Sequence, residues 1–219
     1  MAGKLTKEEV NRKLLHIIAV ALPIGIYFVP LHTGYSRFGV TLVVFSLFLL
    51  SVLVDLLRLK VEILGKLFTR YLGSMMRVAE NKQLTGATYV MAGSLICSCL
   101  SLYHESLAAS AFIGLSLFIL GDAVAALVGK GIGRVRIGDK TLEGALGCFS
   151  FCFLLSYFIF PFVPQLESNW GEGFTVVASL SVSAAVALLE LFPLRFGKVT
   201  LNDNLYVPGV VSLLAWIIA

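Results

Sequence analysis

Seven apolar runs, separated by short polar stretches, limit what this chain can become. They cover about Leu14–Pro30, Gly39–Leu57, Thr85–Tyr103, Leu107–Val128, Ala145–Pro164, Phe174–Phe192 and Leu205–Ala219. Most approach the roughly 20 residues that carry an α-helix across a bilayer. They lack the period-two alternation of strands, and hydrocarbon admits only helices or closed barrels. Composition agrees: 58% of residues are hydrophobic and 14% charged, against about 25% charged in a soluble domain. Mean hydropathy is +0.92. The expectation is an all-α integral membrane protein of about seven transmembrane helices, forming one membrane-embedded domain over residues 1–219.

Charge sets the orientation. With the N-terminus inside, sixteen of the seventeen Lys and Arg residues fall in inner segments, and only Arg37 lies outside. So one-sided a count fits the positive-inside rule, with a cytoplasmic N-terminus and an external C-terminus. The segment before the first run, KLTKEEVNRK, gives no sign of a cleavable signal peptide. Cys97, Cys99, Cys148 and Cys152 all fall in apolar runs and read as reduced core residues. The longest polar connection, Arg58–Lys82, alternates apolar and basic residues at helical spacing. It reads either as an amphipathic helix on the inner leaflet or as an ordinary cytoplasmic loop helix. No internal repeat is evident.

The unusual polar residues gather on the predicted inner side. Asp122 lies inside the fourth run, where an ionisable group is expensive and commonly functional. It is followed by Gly129, Gly131 and Gly133 with Lys130, Arg134, Arg136 and Lys140, a basic glycine-rich stretch suited to cradling phosphate. The bland reading is a flexible basic loop. Thr141 and Glu143 open the fifth run as a cap and first-turn acid, with Lys140 at phosphate oxygens and Glu143 near a metal as the functional reading. Asp203 and Asn204 are turn and cap formers, and also hard oxygen ligands for Mg²⁺ beside a nucleotide. Glu190 could snorkel or pair with Arg195, and Asp55 reads as interfacial. No Walker motif, zinc spacing or dinucleotide fingerprint is present.

RKLLH, LTGATY, GDAVAALVGKGIGR, KTLEG and DNLYVP, in that order, resemble the CTP-dependent membrane lipid kinases: dolichol and polyprenol kinase, phytol kinase and CTP-dependent diacylglycerol kinase. The resemblance runs from Arg12 to Pro208. It implies a phosphotransferase moving the γ-phosphate of CTP to a membrane lipid alcohol, with Mg²⁺ or another divalent cation and no nucleic acid. The implied site faces the cytoplasm from a bacterial inner membrane or endoplasmic reticulum. Arg12, Lys13 and Lys140 would meet phosphate; Gly129, Lys130, Gly131, Gly133, Thr141, Thr85 and Gly86 would line the nucleotide. Asp122 would be base or metal ligand, with Asp203 and Asn204 in support. The acceptor, the preference for CTP over ATP and the oligomeric state are not legible. The rival readings are a phosphatidate cytidylyltransferase-like enzyme, whose paired Asp-Arg signature this chain lacks, and a small transporter.

The charge asymmetry predicts that single cysteines placed in Lys130–Lys140 are labelled only from the cytoplasm, and those in Gln165–Gly173 only from outside. Labelling of Lys130–Lys140 from outside in intact cells would overturn the orientation and the site assignment together.

Overall fold

A computed structural model describes residues 7–76, 78–171, 174–197 and 199–219. Lys4, Arg77 and Lys198 of the basic asymmetry, and the end of the Gln165–Gly173 loop, lie outside the described residues. Helix follows every apolar run. The first carries α1 (Lys7–Ile18) and α2 (Ala21–Thr33), and the second α3 (Arg37–Lys60). The connection contains α4 (Glu62–Leu72), the helix that its alternating pattern predicts. Then come α5 (Gly86–Leu100), α6 (Glu105–Ile132), α7 (Leu142–Leu154), α8 (Leu166–Trp170), α9 (Val176–Leu191) and α10 (Asp203–Ile217). α7 continues through a π-helical turn, Leu155–Ile159, and a 3₁₀ turn, Phe160–Phe162. Among the described residues four stretches are long and apolar enough to cross a membrane: Val10–Thr33, Arg37–Lys60, Glu105–Ile132 and Leu142–Phe162. α5, α9 and α10 are apolar but shorter.

Local chemistry fixes where helices begin. Ser36 Oγ accepts from Gly39 N at 3.0 Å to cap α3, and Thr175 Oγ1 accepts from Ala178 N at 3.1 Å to cap α9. α6 is the hub. The most apolar window of α6 is 72% buried, whereas that of α3 is 17% buried. Leu42, Val43, Leu49, Leu50 and Leu53 of α3 are exposed, a surface suited to hydrocarbon rather than water.

α3, α6 and α9 bring their C-termini to one end of the bundle, and α5, α7 and α10 start from it. Bonds at the other end tie the bundle together: Trp170 Nε1 donates to Ala215 O at 3.0 Å, Tyr27 OH to Gln165 O at 3.1 Å, and Arg37 pairs with Glu105. Pro208 sits inside α10 and, lacking an N–H, leaves the carbonyl of Asn204 without its helical donor. Gly93 of α5 fits against that carbonyl: an added Cβ would stand 2.2 Å from Asn204 O.

Asp55, expected at an interface, is instead buried in a saturated network. Its Oδ1 accepts from Arg58 Nε at 2.6 Å. Its Oδ2 accepts from Thr85 N at 2.7 Å, Thr85 Oγ1 at 3.0 Å and Thr88 Oγ1 at 2.7 Å. Arg58 also donates to Glu80 O at 2.9 Å and Gln83 O at 2.5 Å. One carboxylate thus joins α3 to the start of α5 and fixes the segment between them. Among the cysteines, Cys97, Cys148 and Cys152 are buried and reduced as expected, whereas Cys99 is exposed.

Asp55→Ala leaves the Arg58 guanidinium buried without its counter-ion. It should lower stability by about 3–5 kcal/mol, read as an earlier thermal unfolding in detergent. Lys66→Ala, which removes only the exposed pair with Glu62, should leave the transition in place.

Candidate active site

A cavity of about 1150 Å³ opens where these helix ends meet. Arg12, Lys13, Lys130, Arg136, Lys140 and Arg195 bring positive charge to its lining, and Glu80, Asp122, Asp139, Glu190 and Asp203 bring negative charge. Two minimal antiparallel hairpins form part of the wall. The first pairs β1 (Arg136–Ile137) with β2 (Lys140–Thr141), and the second pairs β3 (Arg195–Phe196) with β4 (Val199–Thr200).

Two ion-pair clusters organise the floor. On α6, Asp122 Oδ2 accepts from Lys13 Nζ of α1 at 2.6 Å, and Lys13 also reaches Asp122 O at 3.2 Å. His16 Nε2 stands 3.2 Å from the same Oδ2, without hydrogen-bonding geometry. The Lys13 ammonium therefore sits on Oδ2, with the His16 ring beside it, and Oδ1 is the oxygen available to a ligand. In the second cluster Lys140 pairs with Glu190 and lies 3.2 Å from Asp203 Oδ2. Glu190 thus takes Lys140 rather than Arg195, because the first hairpin delivers Lys140 to the end of α9. Burial opposes the charge on Lys140, but Asp203, Glu190 and Asp122 outweigh it and hold its ammonium above the ordinary lysine value.

The glycines do not form an open loop. α6 runs on past Val128 to Ile132, so Gly129 and Gly131 are helical, and Gly133 N bonds back to Gly129 O at 3.1 Å. The visible role of Gly129 and Gly133 is close packing: a Cβ on Gly129 would stand 2.6 Å from Thr141 Oγ1, and one on Gly133 2.8 Å from it. Thr141 caps α7 as expected, accepting from Gly144 N at 3.2 Å.

Of the residues singled out in the sequence, Arg12, Lys13, Asp122, Gly129, Lys130, Gly133, Lys140, Thr141 and Asp203 line the cavity. Thr85, Gly86, Gly131, Glu143 and Asn204 are not among its lining residues. Thr85 serves Asp55, and Gly86 N donates to Glu80 Oε1 at 3.2 Å. Both oxygens of Glu143 accept from Val135 N, at 3.1 and 3.2 Å, bracing the entry to the first hairpin. Sequence reasoning passed over Tyr89, Glu80 and Arg195 as lining residues; Arg195 had a signal in its glycine hairpin.

Among the described residues no three His, Cys, Asp or Glu side chains gather as a metal cage. Asp122 is committed to Lys13. Asp203 fits better, because Asn204 beside it keeps a buried Oδ1 with no hydrogen-bond partner among the described residues. A carboxylate and an amide oxygen suit a hard cation that also binds phosphate and water.

No protein-family model matches the chain, and no solved structure does. It is 26% identical over 203 residues to an uncharacterized protein of Rickettsia prowazekii, covering 91% of this chain and 89% of that one. It is also 26% identical to CTP-dependent diacylglycerol kinase 1 of Schizosaccharomyces pombe, across the full length of both chains.

Lys140→Met strands the buried Glu190. The loss of stability should lie toward the low end of about 3–5 kcal/mol, since 26% of the Lys140 side chain is exposed. Adding Glu190→Leu should restore most of it in thermal unfolding, because an apolar pair replaces an ion pair at little net cost.

Proposed function

We propose that the chain is a CTP-dependent lipid kinase: a single membrane-embedded catalytic domain of seven spans that phosphorylates a lipid alcohol at the cytoplasmic surface. The observation that carries the reading is the cation-lined cavity at one shared end of the apolar helices, built around Asp122 and Lys140. The full-length similarity to a CTP-dependent diacylglycerol kinase supports the same reaction class. Such a location lets a water-soluble nucleotide meet a lipid hydroxyl without either leaving its phase.

Phosphoryl transfer asks a protein chiefly for positioning and charge. In this reading the lipid hydroxyl oxygen bonds to the γ-phosphorus, the bond from that phosphorus to the β–γ bridging oxygen breaks, and CDP leaves. Asp122 takes the hydroxyl proton through Oδ1, while Lys13 on Oδ2 holds the carboxylate in place and ionised. Lys140, fixed between Glu190 and Asp203, and Arg12 offset negative charge on the phosphates. Asp203 and Asn204 would hold Mg²⁺ or a similar divalent cation, whose contribution is to neutralise phosphate oxygens. Thr141 and Gly129 set the spacing of α6 and α7 on which these positions depend.

Asp122→Asn keeps the size of the side chain and removes its charge and basicity. Turnover of CTP and lipid alcohol by the purified protein should fall at least about a hundredfold, the scale for losing a positioned base. Thermal unfolding of the same sample reports whether the fold survives. Near-normal turnover in a folded Asp122→Asn protein would remove Asp122 from the reaction.

A further inference from the structure

The two hairpins that wall the cavity are copies of one another. The first reads Arg136-Ile137-Gly138-Asp139-Lys140-Thr141-Leu142, and the second Arg195-Phe196-Gly197-Lys198-Val199-Thr200-Leu201. Arg, Gly, Thr and Leu recur at matching positions. The registers match as well: Arg136 pairs with Thr141 and Ile137 with Lys140, as Arg195 pairs with Thr200 and Phe196 with Val199. Gly138 has φ +60° and Gly197 φ +61°, the positive value that a two-residue hairpin turn needs at its first central position. Each copy is closed by the same backbone bond, Leu142 N to Val135 O at 2.9 Å and Leu201 N to Leu194 O at 2.9 Å.

The helices around them obey the same relation. α6 leads into the first hairpin and α7 leaves it; α9 leads into the second and α10 leaves it. α6 packs on α7 and α10, and α9 packs on the same two. Exchanging α6 with α9 and α7 with α10 leaves these neighbours unchanged, as two parallel repeats about an axis along the helices require. The repeat is 59 residues long in this chain, counted from Arg136 to Arg195.

The copies have diverged at one telling position. Lys140 in the first corresponds to Val199 in the second. Lys140 is spent inside the fold, on Glu190 of α9 and Asp203 of α10, so it ties the first copy to both helices of the second. The arginines have not diverged. Arg136 and Arg195 both line the cavity, both are exposed, and among the described residues neither meets a carboxylate.

We propose that the two hairpins are the paired jaws of a phosphate clamp, in which Arg136 and Arg195 hold the same polyphosphate chain from equivalent positions. This rests on the nucleotide reading above and adds to it the residues that grip the phosphates. Arginine suits the task, since its planar fork binds phosphate oxygens in pairs, and two forks on separate turns can bind different phosphates of one chain. Neither arginine supports the core, so their loss should not disturb the fold.

Binding of CTP to the purified full chain in detergent, measured by calorimetry, tests the clamp, with inorganic tripolyphosphate as the competing probe. Arg136→Gln and Arg195→Gln should each weaken both ligands roughly tenfold, the scale of one charge-assisted contact. Arg→Lys at either position should recover part of the loss, and Lys66→Ala should change nothing. If the unaltered protein binds CTP and only one arginine, or neither, matters, the clamp is wrong and the kinase reading stands. If the variants weaken CTP but not tripolyphosphate, the arginines do not hold phosphate. If the unaltered protein binds neither probe, the nucleotide reading itself fails and the clamp with it.

Discussion

Three carboxylates sit where apolar surroundings would expel them, and everything at the polar end of this bundle follows from how they are held. Asp55 is held by Arg58 and the start of α5, Asp122 by Lys13, and Glu190 by Lys140. A buried charge without a partner is prohibitively unfavourable, so each pairing dictates which segments must meet. Asp122 brings α1 to α6, Glu190 brings the first hairpin to α9, and Asp55 fixes the segment before α5. The cavity is the space these three ties enclose. Function and architecture therefore draw on the same charges: the residues best placed to act on a ligand are also those that hold the walls together.

The apolar runs were legible because hydrocarbon-compatible helices have few alternatives, and helix lies in every one of them. Their ends were less so. α6 continues through Gly129 and Gly131, where glycine content suggested a loop, because Gly129 meets Thr141 and Gly144 at close range and packing overrides its low helix propensity. The first run divides into α1 and α2 at Ala19–Val20, where Pro23, in the first turn of α2, has no N–H to bond the carbonyl of Ala19. Lys13, Asp122, Lys140 and Asp203 were legible as a set, since each is a charge at the same end of an apolar run. Their pairings were not, because Lys13 and Asp122 are separated by 109 residues. Asp55 reads as interfacial because the threonines that bury it beside its near neighbour Arg58 lie 30 and 33 residues away and carry no charge to mark them.

The repeat escaped the sequence reading because the hairpins share only scattered positions and their helices are bound by packing rather than identity. In space it is evident from register, turn geometry and neighbours together. It also gives the site a rationale. Two equivalent hairpins present matched arginines, while the unequal position, Lys140 against Val199, locks one copy onto the other. A ligand with several phosphates matches such a two-sided wall better than a ligand with one anionic group. In the proposed reaction the lipid alcohol would approach from the apolar flank, where the exposed faces of α3 and α4 continue to the same end.

The central claim is that this polar end carries the γ-phosphate of CTP to a lipid hydroxyl. It is tested most directly with CTP labelled by different isotopes at its α- and γ-phosphorus, given to the purified protein with a panel of lipid alcohols that includes diacylglycerol. The account predicts that the γ label alone moves into lipid and the α label remains in CDP. Transfer of the α label to lipid with release of pyrophosphate, or no label in any lipid of the panel, would contradict it.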